Sequence, residues 1–102
     1  MEVSVKSKIK LTYYDVGLLI TCLHEMKRSY DEESIDRIDE ILLMLLDVQD
    51  QIRPGRKKKI AFDYPDIRLI CGCLVDFRNK YLREGNEAAA DVIGETLMNF
   101  IA

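Results

Sequence analysis

Residues 8–23, KIKLTYYDVGLLITCL, return as residues 59–74, KIAFDYPDIRLICGCL, 51 positions later. At that offset Lys8/Lys59, Ile9/Ile60, Tyr13/Tyr64, Asp15/Asp66, Leu18/Leu69, Cys22/Cys73, Leu23/Leu74, Tyr30/Tyr81 and Glu33/Glu84 are identical. Leu11/Phe62, Val16/Ile67, Glu25/Asp76, Met26/Phe77 and Lys27/Arg78 are similar. Identities in phase with the apolar pattern mark an internal duplication. Two copies are too few for a solenoid, which needs about three or more. They predict a single domain over residues 1–102, made of tandem repeats at about 3–51 and 56–102 and related by a pseudo-twofold axis.

Each copy opens with period-2 alternation. Val3, Val5, Ile9 and Leu11 alternate with Ser4, Lys6, Lys8 and Lys10, and Ile60, Phe62 and Tyr64 alternate with Lys59, Ala61 and Asp63. That is the pattern of a half-buried strand. Thr12 and Asp63 then occupy matching N-cap positions, with Asp15 and Asp66 three residues on, where a carboxylate reaches back to the cap. The period changes to about 3.6 as Val16, Leu19, Leu23, Met26 and Tyr30 line one helix face, matched by Ile67, Ile70, Leu74, Phe77 and Tyr81. Asp31 or Ser34 starts a second helix running to about Gln51. Gly85 and Asn86 end one helix and start the last, from about Glu87 to Phe100. Arg53-Pro54-Gly55 breaks the chain between copies. The fold class is therefore mainly α: a duplicated β-α-α-β-α-α chain, with two helical hairpins forming a four-helix layer and a short two-stranded antiparallel ribbon.

Hydrophobic residues make up 48% and charged residues 32%, a globular composition. The net charge of −3 hides an asymmetry: residues 1–51 hold 6 Lys/Arg and 11 Asp/Glu, and residues 52–102 hold the remaining 9 and 7. Such a dipolar chain argues against bulk nucleic-acid binding. The odd three cysteines, Cys22, Cys71 and Cys73, sit in apolar runs and read as buried, reduced thiols, hence a cytoplasmic protein. No secretory leader is visible at the N-terminus. The longest apolar run, Ile41–Leu46, is too short to cross a bilayer, so no membrane association is expected.

Chemistry finds little to stand on. Cys71 and Cys73, two apart on a helix, point about 200° apart and cannot share an ion, and Cys22 and His24 have the same geometry. No metal site is expected, since structural zinc needs four compatible ligands. His24 is the single histidine and its repeat partner is Val75, which fits packing or surface better than a catalytic base. Glu-x-x-His pairs for a di-iron bundle and a Gly-rich phosphate loop are both absent. Asp31, Glu32, Glu33, Asp36, Asp39 and Glu40 read as a solvated acidic helix face. Neither catalytic residues nor a cofactor is predicted, and the chain is read as a non-enzyme.

Two features ask for more. The run ILLMLL at 41–46 exceeds the apolar stripe that a helix in a small bundle needs. It predicts a homodimer formed through Ile41, Leu43, Met44 and Leu46. Lys6, Lys8 and Lys10 alternate along the first strand, and Arg56, Lys57, Lys58 and Lys59 lead into the second. If the strands pair, these cations flank one outward face, with Tyr14 and its neighbours Tyr13 and Tyr64 nearby. Lysines on edge strands also block aggregation, and aromatic residues at such junctions are usually core.

From Tyr64 to Phe100 the second copy, with its Leu- and Tyr-bearing helix, Gly-containing turn and Ala-rich acidic helix, resembles the capped helical hairpins of small bacteriophage and mobile-element proteins. The resemblance covers about a third of the chain. It implies a non-catalytic regulator or inhibitor of a host or defence protein, and it carries over no functional residue. The leading expectation is thus a protein-interaction module with a protein partner. The alternatives are a binder of a small anionic ligand or nucleotide on the basic ribbon and, third, a nucleic-acid-binding regulator.

Overall fold

The computed structural model describes residues 6–101. The expected strand positions Val3 and Val5 lie outside that range. The element order is β1 (Lys6–Thr12), α1 (Tyr13–Met26), a 3-10 turn (Lys27–Ser29), α2 (Glu32–Gln49), β2 (Lys57–Asp63), α3 (Tyr64–Arg83) and α4 (Glu87–Ile101). This is the β-α-α-β-α-α order that the alternation and capping residues predict. The strand before α3 begins two residues earlier than its alternation suggests and yields Tyr64 to the helix.

β1 and β2 pair antiparallel, with Lys6 opposite Asp63 and Thr12 opposite Lys57. The centre of the register is Ile9 opposite Ile60, the same position of the two copies. A twofold axis through that pair exchanges the strands, as the duplication requires. Ile9, Leu11, Ile60 and Phe62 turn inward and are buried. The ribbon rests on the helices, and Phe62 meets Phe100 of α4 with ring centroids 5.7 Å apart. Behind it the first helices of the copies, α1 and α3, pack against each other, burying the equivalent pairs Val16/Ile67, Leu19/Ile70, Cys22/Cys73 and Leu23/Leu74. One core draws on both copies.

The second helices correspond at an offset of 55, not 51. Ile38/Ile93, Ile41/Thr96 and Leu45/Phe100 are buried together. Glu32/Glu87, Asp36/Asp91, Ile38/Ile93, Glu40/Glu95 and Leu42/Leu97 are identical at that spacing. Four extra residues enter the second hairpin, and their effect is local. In the first copy α1 ends at Met26, the 3-10 turn follows, and Asp31 caps α2 by accepting from Ser34 N at 2.9 Å. In the second copy α3 runs on to Arg83, and Gly85 at φ 76° closes it. Gly85 N donates to Leu82 O at 3.1 Å and Asn86 N to Tyr81 O at 2.9 Å, the paired bonds of a Schellman stop. Asn86 Oδ1 then accepts from Ala89 N at 3.1 Å to open α4. The identity Glu33/Glu84 therefore matches no structural position: Glu33 lies in the first turn of α2, and Glu84 is the C-cap of α3.

Helix geometry divides the run ILLMLL. Ile41, Leu42 and Leu45 belong to the protein's own core, Met44 is half-buried, and Leu43 and Leu46 are 70% and 49% exposed. Ile41 thus serves the core, and the apolar surface that α2 offers reduces to Leu43 and Leu46. At the 55-residue offset their counterparts are Met98 and Ile101, also 54% and 62% exposed.

Candidate functional site

Strand parity sorts the cations. β1 turns Lys6, Lys8 and Lys10 outward, and the register sets Asp63, Ala61 and Lys59 against them; Lys57 follows opposite Thr12. Five exposed lysines therefore share one ribbon face, with Lys10 directly across from Lys59. Alternate residues on a strand stand about 6.6–6.8 Å apart and paired strands about 4.7–4.9 Å, so the face is a dense array of charge. Like charges placed directly opposite destabilise a ribbon. Among the described residues the ion pairs are Lys27–Asp39, Lys80–Glu25 and those of Arg37 with Glu40, Asp63 and Asp66, and none uses these five lysines.

Lys58 does not belong to this face. It pairs with Leu11, points to the inner side and is half-buried. It lines a recess of about 340 Å³ with Gln51, Ile52, Arg53, Arg56 and Lys57 beside the inter-copy turn. That turn is closed by Arg56 N donating to Arg53 O at 3.0 Å, with Gly55 at φ 79°. Arg56 is exposed and continues the charge beyond Lys57. Positive charge thus increases along the ribbon, from the end holding Lys6 and Asp63 to the end holding Lys57 and Arg56.

The tyrosines mark the ends of the face. Because each helix begins on the residue after its strand, Tyr13 and Tyr14 follow Thr12 at the Lys57 end, and Tyr64 follows Asp63 at the Lys6 end. All three are exposed, Tyr14 at 76% and Tyr64 at 59%. The usual expectation of core packing at such junctions fails here, because the inward positions are already filled by Leu11 and Val16 in one copy and Phe62 and Ile67 in the other. Tyr13 meets Tyr14 edge-on, with centroids 5.8 Å apart and planes at 89°.

An acid sits at each helix start, Asp15 half-buried and Asp66 buried. At α1 the capping box closes: Asp15 N donates to Thr12 Oγ1 at 3.1 Å and Thr12 N to Asp15 Oδ2 at 3.0 Å. Asp15 also accepts from Thr96 Oγ1 at 2.9 Å, reaching α4 of the other copy. At α3 the expected box gives way to an ion pair. Asp66, 6% exposed, accepts a fork from Arg37 of α2, with Nε at 2.6 Å from Oδ1 and Nη2 on Oδ2. Asp63 lies 3.7 Å from the same guanidinium. The bonds from Asp66 hold the Arg37 pKa above its ordinary value. Sequence patterning placed Asp66 correctly but could not name Arg37, which lies 29 residues away on another helix.

The thiols stand apart from this chemistry. Burial pushes Cys22, Cys73 and Cys71 above the ordinary thiol range, and Cys73 adds to the cost of ionising Cys22 at the α1–α3 contact. Among the described residues no group of three or more His, Cys, Asp or Glu side chains converges to hold a metal ion, and no helix is long and apolar enough to cross a membrane. No protein-family model matches the chain, and neither the curated proteins nor the solved structures hold a significant match to it.

Proposed function

We propose that the protein is a non-catalytic binding module that holds an anionic partner against the outward face of its β-ribbon. The observation that supports this reading is the placement of Lys6, Lys8, Lys10, Lys57 and Lys59 on one exposed face, where Asp63 opposite Lys6 is the one acid among the described outward residues of the ribbon. Protection of a strand edge needs only a charge or two. It does not call for Lys10 opposite Lys59, an arrangement that costs stability in the unbound protein. A bound polyanion turns that repulsion into attraction and accounts for the cluster. A labelled polyphosphate titrated against the protein at low salt tests the reading. Binding should weaken steeply with salt, because exposed charges are screened within about 8 Å at physiological ionic strength. The triple substitution Lys6→Gln, Lys8→Gln, Lys10→Gln should remove most of the affinity while leaving the far-ultraviolet circular dichroism spectrum unchanged. Salt-independent binding, or full affinity in the triple variant, would refute it.

A second reading rests on a different surface. Leu43 and Leu46 on α2 and their counterparts Met98 and Ile101 on α4 are exposed at the same two positions of each copy. Repeated exposed apolar pairs suit a protein partner or a second copy of the chain. Sedimentation of the intact protein at tens of micromolar, compared with Leu43→Glu, separates these: a dimer made monomeric by the substitution supports self-association, and a monomer throughout removes it.

A further inference from the structure

We infer that the anionic partner is single-stranded nucleic acid, its backbone lying along the five-lysine ribbon face and its bases stacking on the tyrosines at the two ends. This rests on the reading of the ribbon as an anion-binding face and specifies its ligand. The first argument is charge complementarity: a linear array of lysines at strand spacing suits a linear array of phosphates better than it suits a single small anion. The chain's net charge of −3 does not oppose this, because the acids approach the ribbon at its Lys6 end, where Glu40, Asp63 and Asp66 share a pocket with Lys6, and Lys8, Lys10, Lys57 and Lys59 do not line it.

The second argument is the composition of the face. Its outward side chains are Lys6, Lys8, Lys10, Thr12, Lys57, Lys59, Ala61 and Asp63. It lacks the Arg, Asn and Gln side chains that read base edges bidentately in a duplex groove. Lysine is a point charge that neutralises phosphate without reading sequence. The third argument is aromatic. Tyr14 and Tyr64 are exposed at opposite ends of the lysine array, and Tyr13 meets Tyr14 edge to face. A duplex hides the faces of its bases, whereas a single strand presents them to aromatic rings. Lysines tracking a backbone and tyrosines taking bases are the two parts of a sequence-tolerant single-strand site. The seven-residue ribbon spans roughly 20 Å, within the range of the smaller such sites.

The test uses the intact protein and fluorescence anisotropy with three probes: a labelled twelve-nucleotide oligothymidine, the same length of blunt duplex, and polyphosphate. The expected result is at least tenfold tighter binding of the single strand than of the duplex. Its log–log salt slope should be no steeper than about −3.5, the value for five neutralised phosphates on a single strand. Tyr14→Ala and Tyr64→Ala should each weaken the oligothymidine about tenfold and leave polyphosphate binding unchanged. Tyr14→Leu and Tyr64→Leu, which keep apolar bulk without the ring, should behave like the alanine variants and control for folding. Equal or tighter binding of the duplex overturns the inference, as do tyrosine variants that bind oligothymidine normally; in both cases polyphosphate binding still supports the ribbon reading. Failure of all three probes to bind at low salt overturns both.

Discussion

Two grooves occupy equivalent places in the two copies, yet they differ in chemistry. One, of about 360 Å³, lies between α1, α3 and α4, and its walls include Gly17, Leu18, Thr21, Tyr81, Ala89 and Val92. The other, of about 510 Å³, lies between α2 and α3, and its walls include Arg68, Leu69, Gly72, Tyr30, Ser34 and Arg37. Position by position these are the same residues of the repeat, at 51 along the first helices and 55 along the second. The first groove is mostly apolar and the second is charged. An ion pair has changed in the same way: Lys27 meets Asp39 at 2.9 Å, while at the equivalent place Arg78 lies over Gly94, a glycine where the first copy has the carboxylate. The lesson is that these groove walls have diverged while buried pairs such as Leu19/Ile70, Leu23/Leu74 and Ile38/Ile93 keep the twofold relation. Burial demands a fixed volume, and a mismatch there costs several kcal/mol. A groove wall in contact with water carries no such constraint.

The largest effect should come where the copies agree. Ile38→Ala and Ile93→Ala remove equivalent buried side chains and should each cost about 2–5 kcal/mol in urea unfolding, within about 1 kcal/mol of one another. A near-neutral result at one site only would break the equivalence of α2 and α4. This pair also shows where sequence reading stops. The strand alternation, the Thr12–Asp15 box, a helix start at Asp31 or Ser34 and the Gly85-Asn86 stop are all local signals and are legible without coordinates, and the structure chooses Asp31. The correspondence Ile38/Ile93 is written in the sequence as well, but a single offset of 51 hides it. An alignment that admits four extra residues between Tyr81 and Glu87 recovers five identities. The division of the lysines into five outward and one inward, with Lys58 behind the ribbon, needed the register. So did the exposure of the junction tyrosines, because it depends on which neighbours fill the core first.

The next effect should appear where the copies solve one problem differently. Each copy seats an aspartate at the start of its first helix, but the half-buried Asp15 is met by a hydroxyl and the buried Asp66 by a guanidinium fork. Arg37→Ala leaves a 6% exposed carboxylate without its charged donors and should cost about 1–3 kcal/mol. Thr96→Val removes one neutral donor from a carboxylate that keeps its capping box, and should cost about 0.5–1.5 kcal/mol. Arg37→Lys sharpens the comparison, since lysine restores the charge but not the fork and should recover only part of the loss. Equal costs for Arg37→Ala and Thr96→Val would show that the ion pair is a surface feature of little weight.

The smallest effect compares two helix glycines, one in each hairpin contact, by a single methyl group. Gly72 in the charged groove wall and Gly94 beneath Arg78 both sit inside helices, where alanine is favoured over glycine by about 1 kcal/mol. A Cβ at Gly94 would stand 3.6 Å from Arg78 Nε, an ordinary contact with a side chain free to shift. Gly94→Ala should therefore stabilise the protein by about 0.5–1 kcal/mol. A Cβ at Gly72 would stand 3.0 Å from the Tyr30 hydroxyl, which donates to Asp76 Oδ2 at 3.3 Å and is held by a stiff ring. Gly72→Ala must push that hydroxyl aside, so its gain should fall short of that at Gly94 by about 0.5 kcal/mol or more. Tyr30→Phe removes the obstructing oxygen. In that background Gly72→Ala should recover the gain seen at Gly94, a coupling that a double-mutant cycle reads directly. If Gly72→Ala matches Gly94→Ala with Tyr30 intact, the two positions are equally tolerant of a methyl group. The close packing of Tyr30 against α3 would then contribute nothing to the difference between the copies.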